Sequence, residues 1–372
     1  MRDYHGIIFA YSAQPELREL VSARTTASLP FCGRYRVIDF ALSSLRNAGI
    51  FDVGVIMQRD YQSLLNHLGS GKPWDMSRRV GGLRILPPFG LPGNHTGEYS
   101  GTIEALNAVA SYIEDIPQKH IILLNGDICG NLDVDGLIRK HEESQAPVTA
   151  ICAEHASAGL HHRYVINDRG LVDSILFDRE NDEEGSVPSL GGYIVHKELL
   201  LDYMDRCKAS NLYRFHKDAV SMYLNDGGKI NVYIHRGYVS TISSVAAYYK
   251  ANMDMLVREN RASVFNPDRP IRTKSHEEVS TYYGENAVSR NSLVADNCKI
   301  EGEIENCIIF SGVRIARGAK LKNCIVMSDS IIARDCNLNC VIVDKNAVFP
   351  QGTSLSGTPG LPIVVPKNFL VM

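Results

Sequence analysis

The sequence predicts an α/β domain built on a mostly parallel sheet, followed by a C-terminal parallel β-helix. Two observations predict it. The first two-thirds of the 372-residue chain alternates short apolar runs with amphipathic stretches, the pattern of strands covered by helices. After about residue 290 that pattern stops and a repeat of roughly 17 residues takes over. Asn306-Cys307-Ile308-Ile309 recurs as Asn323-Cys324-Ile325-Val326 and as Asn339-Cys340-Val341-Ile342. Within it a six-residue beat links Ile309, Ile315 and Leu321, as expected of triangular coils that each bury one apolar residue per side.

The elements follow in order. Ile7–Ala10 reads as the first strand. Val37–Ala48 reads as a helix, closed by Gly49 where a left-handed residue fits. Val53–Met57 is a second buried strand. Thr102–Ile113 sets Ile103, Leu106, Ala110 and Ile113 at helical spacing. His120–Leu124 is a third strand and runs into Asn125-Gly126-Asp127. Gly136–Ser144 is helical and Val148–Cys152 is a fourth strand. Ligands of such sheets bind beyond the carboxyl ends of the strands, where Asp127 stands. The domains read as 1–250 (α/β), 251–290 (linker, with Asn266–Pro270 on the surface) and 291–372 (β-helix). Gly302, Gly312 and Gly318 suit the tight corners of the coils.

Composition excludes several classes. Lys+Arg 39 against Asp+Glu 42 gives a net charge of −3, without the basic excess of a nucleic-acid binder. No stretch reaches the roughly 20 apolar residues of a membrane span. The polar start, with only Ile7–Ala10 apolar behind it, does not read as a signal peptide. Nine cysteines without short paired spacings read as reduced thiols, so the expected location is the cytoplasm. The cysteines of the repeat read as small interior hydrophobes rather than metal ligands. His161-His162 is not read as a metal pair, because adjacent residues on a strand point apart.

Several segments resemble the ADP-glucose pyrophosphorylases (glucose-1-phosphate adenylyltransferases). Phe31-Cys32-Gly33-Arg34-Tyr35-Arg36-Val37-Ile38-Asp39-Phe40-Ala41-Leu42-Ser43 is similar to their FGGKYRIIDFxLS. Pro73-Trp74-Asp75, Arg78-Arg79, Gly81-Gly82 and Leu86-Pro87-Pro88 resemble the next block of the bacterial enzymes. Tyr99-Ser100-Gly101-Thr102 resembles Y-[RK]-G-T, Tyr249-Lys250-Ala251-Asn252 resembles W-K-A-N, and Pro270-Ile271-Arg272-Thr273 leads into the β-helix. The resemblance covers nearly the whole chain. It implies a Rossmann-like sugar-nucleotidyltransferase domain fused to a left-handed parallel β-helix, and a role in glycogen biosynthesis. The family reaction joins ATP and glucose 1-phosphate to give ADP-glucose and pyrophosphate, with Mg²⁺ held by carboxylates.

The positions that would carry this chemistry depart from the family pattern. The family's AGGxGTRLxxL falls on Ala10–Leu20, and its glycines become Tyr11, Ser12 and Gln14. Glycines there let the backbone approach phosphate, and Pro15 removes a donor. The family arginine that holds triphosphate falls on Glu16, and the lysine of K-P-A-V falls on Thr26. The sugar-phosphate lysine of E-K-P falls on Arg179. Asp127 matches one Mg²⁺ ligand, and the second, from D-V-G-T, falls on Thr241. Losing one preorganised charge at such a centre costs about 10²–10⁵ in rate.

The resemblance therefore implies the non-catalytic, D-type regulatory subunit of the family. Such a chain needs no cofactor of its own, and Mg²⁺ acts in a catalytic partner subunit with which it forms a heterotetramer; alone, it would form a homo-oligomer. Gln58, Gly101, Thr102 and Arg179 stand as vestigial substrate contacts, Asp127 as a vestigial metal ligand and Arg34 as an effector contact. Three of these have a plainer alternative: a capping aspartate at Asp127, a polar strand end at Gln58, a solvated arginine at Arg34. Two further functions stay open at this level. One is an active nucleotidyltransferase with a remodelled phosphate loop. The other, acyl transfer by the β-helix, lacks its usual base, since no histidine follows His276.

Overall fold

A computed structural model of the chain describes residues 3–10, 15–88, 98–155, 162–177, 185–275 and 278–369. Its first domain is a nine-stranded sheet covered by helices. Tyr4–Phe9 lies at the centre, parallel to His120–Asn125 on one side and to Val53–Ile56 on the other, and Leu83–Leu86 extends the latter edge in parallel. Ser186–His196 runs antiparallel to both His120–Asn125 and Val148–Ala153. The hairpin His162–Ile166 with Val172–Phe177 extends it, and Ile230–His235 pairs in parallel with Val148–Ala153. The parallel centre thus carries antiparallel strands toward one edge.

Local chemistry explains the helices. Ile38–Asn47 buries Ile38, Phe40, Leu42 and Leu45 and ends before Gly49, whose φ is 74°. Asp133 caps Val134–Ser144 by accepting from Gly136 N at 3.1 Å, and Ser244 caps Val245–Asp254 by accepting from Ala247 N at 3.1 Å. The expected helix Thr102–Ile113 is two: Thr102–Ala108 and Ala110–Glu114. Val109 leaves helical geometry between them (φ −119°, ψ 22°), although the apolar spacing continues through it. Arg258–Val264 is a further helix, and the first β-helix strand begins at Tyr282. Both fall inside the segment that the sequence reads as linker.

The C-terminal domain has three five-stranded, fully parallel sheets, the parallel β-helix expected from the repeat. Ile308 pairs with Ile325 and Ile325 with Ile342, so the sequence repeat is the coil offset. Ile309, Ile315 and Leu321 are at most 2% exposed, and Cys307 and Cys324 are fully buried. Gly312 and Gly318 have φ of 77° and 78°. Gly302 is needed for a different reason: a Cβ there would lie 2.5 Å from Ala319 O.

The two domains share a core. Leu17, Leu20, Phe31 and Tyr248 pack with Ile308, Phe310, Ile325 and Met327 of the coils. Tyr249 Oη donates to Asn323 O at 2.7 Å. Burying each of these large side chains contributes about 1.5–3 kcal/mol. The Arg24 guanidinium and the Asp344 carboxylate also form an ion pair across the junction, both buried.

Candidate functional site

The central strand has parallel neighbours on both sides, and ligands of such sheets bind beyond the carboxyl end of a strand flanked in this way. Phe9 pairs with Ile56 and Asn125, which brings three strand ends level. Gly126 N donates to Phe9 O at 2.8 Å. A Cβ on Gly126 would lie 2.9 Å from that oxygen, so only glycine allows this approach.

Asp127 follows. The residue is partly exposed, but its Oδ1 is buried and has no hydrogen-bond partner. Burial raises its carboxyl to about 6, opposed by a backbone hydrogen bond. Val239–Thr241 runs antiparallel to Ile128–Gly130, with Thr241 opposite Ile128, and Ile242 N donates to Asp127 O at 2.8 Å. Thr241 Oγ1 is likewise buried without a partner. These two positions supply one carboxyl, raised to about 6 and so still mostly ionised at neutral pH, and one hydroxyl. One carboxylate and one hydroxyl make a poorer donor set for Mg²⁺ than the two carboxylates of the family pattern. Among the described residues, no three His, Cys, Asp or Glu side chains are placed to hold a metal ion.

The remaining expected positions separate. Tyr11, Ser12, Gln14, Arg179 and His161 lie outside the described residues. Glu16 is exposed in the segment Pro15–Val21, whose 3₁₀ turns break at Arg18 (φ 47°) while Leu17 and Leu20 anchor it to the core. Thr26 is buried in the turn Thr26–Ser28. Gln58 is half-buried, two residues beyond its strand. Gly101 and Thr102 make a packing contact. A Cβ on Gly101 would lie 2.2 Å from Tyr213 O, and Thr102 Oγ1 accepts from Phe215 N at 3.3 Å. His162 stacks on His216, with ring centroids 4.7 Å apart.

Arg34 is brought into a different site. It follows Cys32 and Gly33, both at positive φ (49° and 82°), in a turn that faces the β-helix. Cys32 N is held by Asn252 Oδ1 at 3.0 Å, which joins the two segments Phe31–Ser43 and Tyr249–Asn252. Between the domains is a cavity of about 190 Å³ lined by Arg34, Arg36, His67, Lys274 and Lys345, with Glu278 and Asp296. Asp39 accepts from Arg36 N at 2.9 Å and meets His67 Nε2 at 2.6 Å, which fixes the floor. Burial, with Arg36 and Arg24 nearby, lowers the Lys345 ammonium to about 8, and Asp344 opposes the shift. Reading the sequence singled out only Arg34 of this group. The register of the coils carries Lys345 to the same place, and no local pattern signals it.

A larger cavity, about 660 Å³, lies at the opposite end of the strands, lined by Tyr4, His120, His141 and His196. His141 Nε2 is 3.3 Å from His120 Nδ1, and burial, with the other two imidazoles, lowers His141 to about 4. These imidazoles are far along the sheet from Asp127, at the amino ends of Tyr4–Phe9 and His120–Asn125.

Known proteins share this architecture. A nucleotidyl transferase family model matches residues 15–258, and a GlmU-like C-terminal hexapeptide model matches residues 277–358. The chain is 32% identical to the glycogen biosynthesis protein GlgD of Bacillus subtilis, over 98% of this chain and 96% of that one. It is 30% identical to a glucose-1-phosphate adenylyltransferase of Clostridium botulinum, over 84% and 81% of the two chains. It is 29% identical to that of Fusobacterium nucleatum, over 85% and 83%. With both domains matched in order, the chain belongs to the glucose-1-phosphate adenylyltransferase family of nucleotidyl transferases.

Proposed function

We propose that this chain is a regulatory subunit in glycogen biosynthesis, catalytically impaired alone and acting through a catalytic glucose-1-phosphate adenylyltransferase. The observation that carries this reading is the pair Asp127 and Thr241: one carboxyl and one hydroxyl, both with an unpartnered buried oxygen. Glu16 adds a negative charge to the segment after the first strand, where the family reaction brings a polyanion. The partner supplies the Mg²⁺ site, and this cytoplasmic chain needs no cofactor of its own. The shared core between the domains supports a rigid scaffold suited to heterotetramer assembly.

The interdomain cavity is the regulatory half of the reading. Arg34, with Arg36, Lys274 and Lys345, offers a concentrated positive field that suits a phosphorylated effector. Initial rates of ADP-glucose formation test the whole proposal. The chain alone gives little product, a catalytic subunit gives some, and the two co-expressed give more with an altered effector response. Arg34→Ala in the mixed enzyme shifts the effector curve at least several-fold; an unchanged curve removes Arg34 from this role. No effect of the chain on its partner ends the proposal.

A further inference from the structure

The cavity of about 660 Å³ at the amino ends of the strands gathers three imidazoles. His120 stands level with Tyr4 on one neighbouring strand and with His196 on the other. His141 reaches the same place from the covering helix Val134–Ser144. Its ring meets His120 edge-on with centroids 5.1 Å apart, and His196 meets His120 at 5.4 Å. Tyr4 stacks on the His120 ring at 5.0 Å, and its hydroxyl donates to Glu142 Oε1 at 3.2 Å.

Two ring nitrogens already face each other: His120 Nδ1 and His141 Nε2 are 3.3 Å apart. Two imidazole nitrogens bound to one tetrahedral ion at about 2.0–2.1 Å lie about 3.3–3.4 Å apart, so the observed separation is the bite of such a site. The far nitrogen of His141, Nδ1, is 2.8 Å from Thr149 Oγ1, which also accepts from Asn231 Nδ2 at 3.4 Å. A hydrogen bond at the far nitrogen is what orients a ligating imidazole. The surroundings suit a cation: Asp3, Asp135 and Glu142 line the cavity against Arg139, with Lys119 beside His120. Burial lowers His141 to about 4 and lowers His120 as well, so both are neutral at pH 7, the form that ligates metal.

We infer that this cavity binds one divalent ion of the zinc class, with His120 Nδ1 and His141 Nε2 as preset ligands and His196 drawn in as the third. Among the described residues no three ligating side chains converge on one point before the ion arrives. His196 completes the set by turning its side chain, since its backbone is fixed opposite His120. Water takes the fourth position of the tetrahedron. The ion ties the helix Val134–Ser144 to two strands of the sheet, at the opposite end of the strands from Asp127.

Zinc chloride, added to the full chain after treatment with a chelator, is the probe. Calorimetry counts one ion per chain, and the melting temperature rises as zinc is added. Losing a group that only orients a ligand costs about 10–100-fold in metal affinity. His120→Gln and His141→Gln, which lose a ligand, each weaken zinc binding by at least that factor, and His196→Gln weakens it about tenfold or more. Cobalt(II) in place of zinc tests the wild-type chain without any variant, and gives the intense visible absorption of a tetrahedral ion. No zinc binding by wild type, a weak octahedral cobalt spectrum, or an affinity unchanged in both His120→Gln and His141→Gln overturns the site. Wild-type affinity in His196→Gln overturns the recruitment of the third histidine.

Discussion

Thr241 lies beside the Asp127 backbone, held by the 2.8 Å bond from Ile242 N to Asp127 O, and each residue keeps a buried side-chain oxygen without a partner. An unsatisfied buried polar atom costs about 1–3 kcal/mol. Such atoms mark strain, a functional role, or a place that water or an ion fills. Placing a carboxylate at Thr241, one register position from Asp127, should therefore create a metal requirement. Thr241→Asp melts at a lower temperature than wild type in a chelator and recovers when Mg²⁺ is added, while wild type does not respond to Mg²⁺. Identical melting curves for the two proteins with and without Mg²⁺ would show that these positions do not cooperate.

The Asp127 carboxyl sets a pH dependence. Its folded-state value of about 6 lies above the unfolded value of about 3.9, so the folded chain binds more protons between those limits. Stability from this group is fully present below the unfolded value and is lost as pH rises through 6. At neutral pH the loss is about 1–2 kcal/mol, after allowing for the partial exposure of the residue. Asp127→Asn raises the melting temperature at pH 7.5, and the gain disappears near pH 4. A variant that is less stable than wild type at pH 7.5 would mean that the charged carboxylate has a favourable partner.

The junction between the domains depends on Arg24 and Asp344. Both are buried, so removing one leaves an uncompensated charge at a cost of about 3–5 kcal/mol. Replacing both with apolar residues restores much of that loss. A double-mutant cycle in urea, with Arg24→Met and Asp344→Leu, measures the coupling. Additive losses would show that the pair does not interact in solution.

Gly101 is a packing position before it is a substrate position. Its φ is −179°, extended backbone open to any residue, so the obstacle is only the 2.2 Å approach to Tyr213 O. Gly101→Ala displaces the segment at Tyr213–Phe215 and costs about 1–3 kcal/mol in stability. Unchanged denaturant unfolding would assign the glycine to some other purpose.

The parts of the fold written in local pattern could be read in advance. Asn306, Asn323 and their Cys-Ile neighbours recur at the coil offset because each coil contacts only the next, so sequence period and structural period coincide. The strand running into Gly126-Asp127 was legible because a buried parallel strand is a short apolar run. The break at Val109 was not, since its apolar spacing is that of an unbroken helix. Nor was the ion pair of Arg24 with Asp344, residues 320 positions apart that only the register of the coils brings together. The same distance hid Lys345 and the cavity, whereas the substitutions at Glu16, Thr26 and Thr241 are visible only against a family pattern.

Calorimetry of the chain alone with ATP and Mg²⁺ bears most directly on the proposal that it does not catalyse by itself. The account expects no magnesium-dependent binding of ATP by wild type, and no ADP-glucose when glucose 1-phosphate is also present. Tight ATP binding that requires Mg²⁺, with sustained turnover by the lone chain, would contradict it and make this protein a working synthase.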